Sequence, residues 1–141
     1  MKEATRKALA TVDEYIQEAS KMKLSIGRLL EVEAKLAGFT AYIYQEAAKA
    51  QAELNACYWV RKVGYSREQI KARNAGAKSA KDAENEAIEN ISQQIKEENQ
   101  AVADYELLNA YCKGNDRVLT SITHRIKNLE NEQSRRTQQV R

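Results

Sequence analysis

The chain of 141 residues contains no proline and only five glycines, so few positions force a helix to end. Aromatic residues make up 6% of the sequence, and no stretch alternates apolar and polar residues as a half-buried strand would. No apolar run approaches the ~18 residues of a membrane span. The N-terminal residues lack the apolar segment of a signal peptide. We therefore expect an all-α protein with no membrane partner.

The residues that usually carry catalysis or bind metals are also scarce. His124 is the only histidine, and no second histidine or cysteine lies at ligand spacing from it. No glycine-rich phosphate-binding motif occurs. Cys57 and Cys112 occupy apolar helix positions typical of buried free thiols in a reducing compartment, with a disulfide as the alternative if their helices align. The sequence thus predicts a cytoplasmic non-enzyme with no catalytic residues, no metal and no cofactor.

Good helix formers dominate what is present, and one stretch from 101 to 129 has a regular apolar period. Its positions are spaced alternately by four and three residues, which is the heptad pattern of a helix packed along its length. Asn115 alone interrupts the apolar series; it either fixes helix register or is an ordinary buried polar residue with a side-chain partner. The seam consists of Ala101, Tyr105, Leu108, Cys112, Asn115, Leu119, Ile122, Ile126 and Leu129.

The remaining chain predicts a long antiparallel helical hairpin with short extra helices, which resembles a coiled coil. We expect one helical domain over 1–134 and a frayed tail over 135–141. Gly64 is expected to end the first long helix, and Ser66 and Ser79 are expected to cap later pieces. The predicted elements are a short helix at 3–19, a long helix at about 24–62, a tip at 63–81 and a long helix at about 82–134.

The 101–129 stripe is wider than one partner helix needs, because Leu107, Tyr111 and Val118 extend it. This excess predicts a homo-oligomer, and the alternative is a monomeric bundle in which the N-terminal helix covers the surplus. The predicted oligomer interface is Tyr105, Leu108, Cys112, Asn115, Leu119, Ile122, Ile126 and Leu129.

Charge is segregated along the chain. Residues 61–81 hold seven basic residues and one acidic residue, whereas 82–112 hold one basic and eight acidic residues. Aromatic residues flank the basic segment, so its cations would bind phosphates while the rings stack on unpaired bases. A solvated charged face is the alternative. The predicted nucleic-acid-binding residues are Tyr58, Trp59, Arg61, Lys62, Tyr65, Arg67, Lys71, Arg73, Lys78 and Lys81.

Two runs resemble the UvsY family of phage recombination mediators. One is AELNACYWVRKVGYS, an aromatic and basic helix end that closes on glycine; the other is YELLNAYCKGNDRVLTSITHRIKNL. The C-terminal end NEQSRRTQQVR lacks the glycine and aromatic residues of that family. The resemblance implies a ring-like oligomer that holds single-stranded DNA, interacts with a single-strand-binding protein and helps to load a recombinase.

Three functions are therefore compatible with the sequence. The first is a single-stranded-DNA-binding recombination mediator of phage type. The second is a coiled-coil structural or adaptor protein, such as a virion-assembly factor, in which the acidic block of one subunit neutralises the basic block of another. The third is a small inhibitor that docks on a host protein.

Overall fold

The computed structural model describes residues 1–140, and within them the protein is helical with no strand. Four helices follow one another: α1 (Glu3–Ala19), α2 (Ile26–Asn74), α3 (Ala80–Asn90) and α4 (Ser92–Gln139). The all-α prediction is confirmed. The chain divides into two compact units, and the two long helices contribute to both of them.

Unit 1 consists of Met1–Glu46 together with the described residues from Leu108 onward. It is a three-helix arrangement in which α1, the first part of α2 and the last part of α4 pack together. Tyr44 on α2 donates a hydrogen bond to Asp116 on α4, and Thr123 donates one to Glu33 over 2.5 Å. Because position 44 pairs with 116 and position 33 with 123, α2 and α4 run antiparallel here, as the hairpin prediction requires.

Helix α1 completes unit 1. Its Asp13 accepts a hydrogen bond from the Tyr111 hydroxyl over 2.8 Å, and its Glu18 accepts two from the Arg28 guanidinium at the start of α2. Large side chains fill the core between the three helices. The largest fully buried ones belong to this unit; they are Leu29, Leu36, Ile43, Ile122, Val12, Val32, Asn115, Thr5 and Cys112.

Unit 2 comprises residues 47–107, which are the end of α2, all of α3 and the start of α4. Arg61 on α2 pairs with Glu98 on α4, and Glu68 accepts a hydrogen bond from Asn90 over 3.2 Å. This order of pairing is again antiparallel. The buried residues of the unit are mostly alanines: Ala47, Ala72, Ala83, Ala87, Ile91 and Ala101.

Two of the predicted helix boundaries are wrong. Helix α2 does not end near 62 but continues through Gly64 and Ser66 to Asn74, so no separate tip helix begins at Ser66. Gly64 does not terminate the helix, since Gly76 alone among the described residues has a positive φ, of 93°. The turn therefore follows Asn74 and contains Gly76.

The last predicted helix is divided. Ser79 caps α3 as expected, because its hydroxyl accepts a hydrogen bond from the backbone N–H of Asp82 over 3.1 Å. However, Ile91 leaves the helical conformation, and a second helix begins at Ser92. At the other end α4 continues to Gln139, so residues 135–139 are helical rather than frayed, while residue 141 of the predicted tail lies outside the described residues.

Candidate nucleic-acid interface

The basic segment of the sequence lies on unit 2. Because α2 is longer than predicted, five of the seven cations of the basic segment lie on the last turns of that helix rather than in a loop. They are Arg61, Lys62, Arg67, Lys71 and Arg73, while Lys78 lies in the turn and Lys81 lies on α3. A helix holds these side chains at fixed spacing along its surface.

Two of the seven cations form salt bridges with carboxylates of unit 2. The hydrogen bond from Arg61 to Glu98 raises the pKa of the guanidinium, which therefore keeps its charge. The Lys71 ammonium lies 2.6 Å from Glu68, and this bond lowers the pKa of that carboxyl group. Arg61 and Lys71 are thus less free to bind phosphate than the sequence suggested.

Within residues 1–140 the other five cations form no salt bridge. Four of the five are exposed on or just after the end of α2, and Lys81 is exposed on α3. From the acidic 82–112 block, Glu98 pairs with Arg61 of the basic segment. A surface of unpaired cations therefore remains in the single chain; it consists of Lys62, Arg67, Arg73, Lys78 and Lys81.

Two aromatic rings project from the same part of α2. Trp59 keeps 58% of its surface exposed, and Tyr58 is exposed as well. Their rings meet edge to face, with centroids 5.5 Å apart and planes inclined by 77°. Trp59 is therefore not a core residue, and its ring is accessible to a planar ligand.

Cations lie against both rings. The Lys62 ammonium is 5.0 Å from the centroid of Trp59 and 5.7 Å from that of Tyr58, and the Arg61 guanidinium lies 5.4 Å from Tyr58. These distances fall within cation–π range. We call Tyr58, Trp59 and Lys62 the aromatic-basic surface; Arg67 is exposed about two turns further along α2. Tyr65 is half-buried and contributes less to it.

The predicted oligomer interface on α4 has a different place in the structure. Leu108, Cys112, Asn115, Ile122 and Ile126 are all buried in the single chain, and Tyr105, Leu119 and Leu129 are half-buried. The buried residues of this seam are therefore already covered within the single chain, and the prediction that the seam meets other subunits stays a prediction. Of the residues that widen the stripe, Tyr111 contacts Asp13 of α1, whereas Leu107 keeps 45% of its surface exposed.

Sequence reasoning missed a set of exposed apolar residues on α2. Val60, Val63 and Ile70 keep more than half of their surface exposed, close to Trp59 in the same helix. Their spacing was visible in the sequence. It was overlooked because the predicted helix end at Gly64 divided the series.

The remaining polar groups point to no second site. Burial raises the pKa of the Cys112 thiol, and both cysteines are free. His124 is exposed, and residues 1–140 contain no cluster of three residues suited to a metal ion. A groove of about 670 Å³ in unit 1 is lined mainly by apolar side chains of α1 and α2, with Lys7 and Lys35 as its charged groups.

No helix among the described residues is both long and apolar enough to cross a bilayer. Comparison of the chain with protein-family models, with curated proteins and with solved structures gives no match. The resemblance to the UvsY family therefore stays a prediction, and the argument for a function depends on the surface of unit 2.

Proposed function

We propose that this protein binds single-stranded DNA through the aromatic-basic surface of unit 2, without catalysing a reaction. The observation that carries the proposal is the exposed Trp59 ring with Lys62 beside it, a cation that forms no salt bridge within residues 1–140. Cations supply affinity for any phosphate backbone, and exposed rings add base stacking that is tolerant of sequence.

The rings favour a single strand over a duplex. Bases in a duplex hide their faces by stacking on one another, whereas an unpaired base offers a face to an exposed indole. Lysines and arginines alone would bind both forms. The resemblance of the two runs to the UvsY family supports a finer proposal. In it, the protein is a phage-type recombination mediator that assembles as an oligomer and helps to load a recombinase.

A coiled-coil adaptor is the second candidate, and the exposed apolar residues Val63 and Ile70 favour it. In that function the basic segment of one subunit would face the acidic block of another. The two candidates differ in one measurable property, since only the first requires salt-sensitive affinity for single-stranded DNA.

The proposal is tested by salt titration of oligonucleotide binding. Replacing Arg67 and Arg73 with alanine removes two unpaired cations, so the log–log salt slope should fall by about 1.4, at about 0.7 per phosphate contact. The matched control replaces Arg135 and Arg136, which removes the same charge from the exposed end of α4. We expect the control to retain most of the native slope.

Trp59→Ala separates stacking from charge. Loss of one stacked base, worth roughly 1–3 kcal/mol, should weaken binding about 5- to 150-fold at every salt concentration while the slope stays unchanged. The exposed position of Trp59 means that this variant should fold normally. Native protein that does not bind a single-stranded oligonucleotide at ~50 mM salt would contradict the proposal and favour the adaptor.

A further inference from the structure

Helix α2 carries a second apolar seam on the outer side of unit 2. Its six positions are separated by four, three, four, three and four residues, and all six are exposed. Trp59, Val63 and Ile70 are its large members, with 58%, 52% and 59% of their surfaces exposed. We call this set the outer seam: Ala52, Ala56, Trp59, Val63, Ser66 and Ile70.

The outer seam lies opposite the face that packs inside unit 2. Cys57, Arg61 and Gly64 belong to the packed face, and successive residues turn by about 100° around a helix. Residues 57 and 59 therefore point about 160° apart around the helix. Since α3 and α4 lie against the packed face, no element of the unit covers the outer seam, and apolar heptad seams are stable when they meet another helix.

We propose that the outer seam pairs with the outer seam of a second copy of this chain, in antiparallel orientation. Antiparallel pairing with residue 61 at the level of the two-fold axis places Ile70 against the small Ala52 and the bulky Trp59 against the smaller Val63. Such alternation of large and small side chains is what close packing of two helices requires. The paired residues are Ala52 with Ile70, Ala56 with Ser66, and Trp59 with Val63, and the two-fold symmetry repeats each pair on the other side of the axis.

The flanking residues match this orientation. In an antiparallel pair Glu53 lies beside Arg67 of the second copy, which gives two pairs of opposite charge per dimer, because positions beside the seam set partner and orientation. Val60 meets Val60 of the second copy at the axis. All three residues are exposed in the single chain. Lys62 faces its own counterpart, and its ammonium is already placed over the aromatic rings.

Parallel pairing is less favourable on the same grounds. It would place Trp59 against Trp59 and leave Ala52 and Ala56 without large partners. It would also bring Lys62 of one chain beside Arg67 of the other, because residues five apart at flanking positions are neighbours in a parallel coiled coil. The charges and the side-chain sizes therefore both select the antiparallel pair.

The outer seam shares Trp59 with the aromatic-basic surface. If the proposed function holds, a second copy and single-stranded DNA compete for this face, so self-pairing regulates access to the DNA site. This competition rests on the proposed function, whereas the pairing itself rests only on the residues of α2.

The pairing is tested by measuring molar mass by light scattering over a range of protein concentrations. We expect a concentration-dependent dimer for the native chain. Ile70→Glu places a charge in the seam and should give a monomer. Ile88→Glu is the matched control, because Ile88 is 49% exposed on α3 of the same unit but lies outside the seam; it should remain a dimer. Circular dichroism confirms that each variant is folded.

A charge exchange tests the orientation. Glu53→Arg and Arg67→Glu alone should each raise the dissociation constant of the dimer about tenfold, and the double variant should restore it. Native protein that is monomeric at every concentration would overturn the pairing. Equal disruption by Ile70→Glu and Ile88→Glu, or a double variant no better than the single ones, would overturn this interface.

Single-stranded oligonucleotide is then added to the native dimer. A fall in mass to one chain per bound oligonucleotide supports competition, while a complex containing the intact dimer overturns it. A dimer that binds no DNA leaves the self-pairing standing and contradicts the proposed function instead. The two proposals therefore fail by different measurements.

Discussion

Asn115 is the residue at which this protein departs most from an ideal core. It is fully buried in unit 1, and neither its amide oxygen nor its amide nitrogen has a hydrogen-bond partner in the described residues. The heptad spacing predicted its position on the seam. The alternative, a buried polar residue with a side-chain partner, is wrong, because neither amide atom has a partner among the described residues. The sequence could not decide this, since it does not show which side chains of α1 and α2 face position 115.

Replacing Asn115 with leucine should stabilise the protein. An unsatisfied buried polar group costs about 1–3 kcal/mol, so removing it should raise the free energy of unfolding by an amount in this range. Urea denaturation measures the change. Asn115→Ala is the control, since it also removes the amide but leaves unfilled space, and it should gain less or lose stability. Lower stability of Asn115→Leu would show that the amide is satisfied in solution.

Trp59 shows how far residue-level prediction reached. Its place beside a run of cations was evident from the sequence, but a lone tryptophan on a helix is as compatible with a core as with a surface. Its exposure follows from the register of α2 on α3 and α4, which involves residues such as Glu98 that are nearly 40 positions away.

At the scale of elements, the length of α2 is the main difference between expectation and structure. Gly64 was expected to end the helix because glycine favours the left-handed end conformation. Instead it is helical, and a Cβ built on it would lie 3.5 Å from the Ile91 side chain, at ordinary contact distance. The break between α3 and α4 at Ile91 contains no glycine or proline from which it could be predicted. Tertiary packing therefore outweighs the local glycine signal at position 64, and local sequence does not predict the break at Ile91.

Two glycine substitutions test this description of α2. Gly64→Ala should stabilise the protein by about 0.5–1 kcal/mol, because alanine is the better residue inside a helix and its methyl group has room. Gly76→Ala should destabilise it by about 1–2 kcal/mol, since Gly76 has a φ of 93° that other residues adopt at a cost. Thermal and urea unfolding measure both. Destabilisation by Gly64→Ala would indicate that the helix ends there after all.

At the scale of the whole molecule, the two units differ in what they bury. The largest fully buried side chains belong to unit 1, whereas the buried residues of unit 2 are alanines apart from Ile91. Apolar burial stabilises by about 25 cal/mol per Å², so small side chains contribute less. The all-helical class and the antiparallel hairpin could be predicted from composition and heptads. The division into units could not, since it depends on which long-range contacts form.

Native-state hydrogen exchange should reveal this difference. Amides of residues 47–107 should exchange at least about tenfold faster than the core amides of unit 1, because local opening costs less where fewer large side chains are buried. Mass spectrometry of peptides from each unit measures the rates. Uniform protection along α2, on both sides of residue 47, would show that the units unfold together.

The central claim is that unit 2 presents a surface for single-stranded DNA, and the most direct test is the fluorescence of Trp59. It is the only tryptophan of the chain, so all tryptophan emission comes from the proposed site. Titration with a single-stranded oligonucleotide at ~50 mM salt should quench the emission to saturation, and added salt should restore it. Duplex DNA of the same sequence should quench less. Emission that is unchanged by the single strand, with no complex that salt dissociates, would contradict the account.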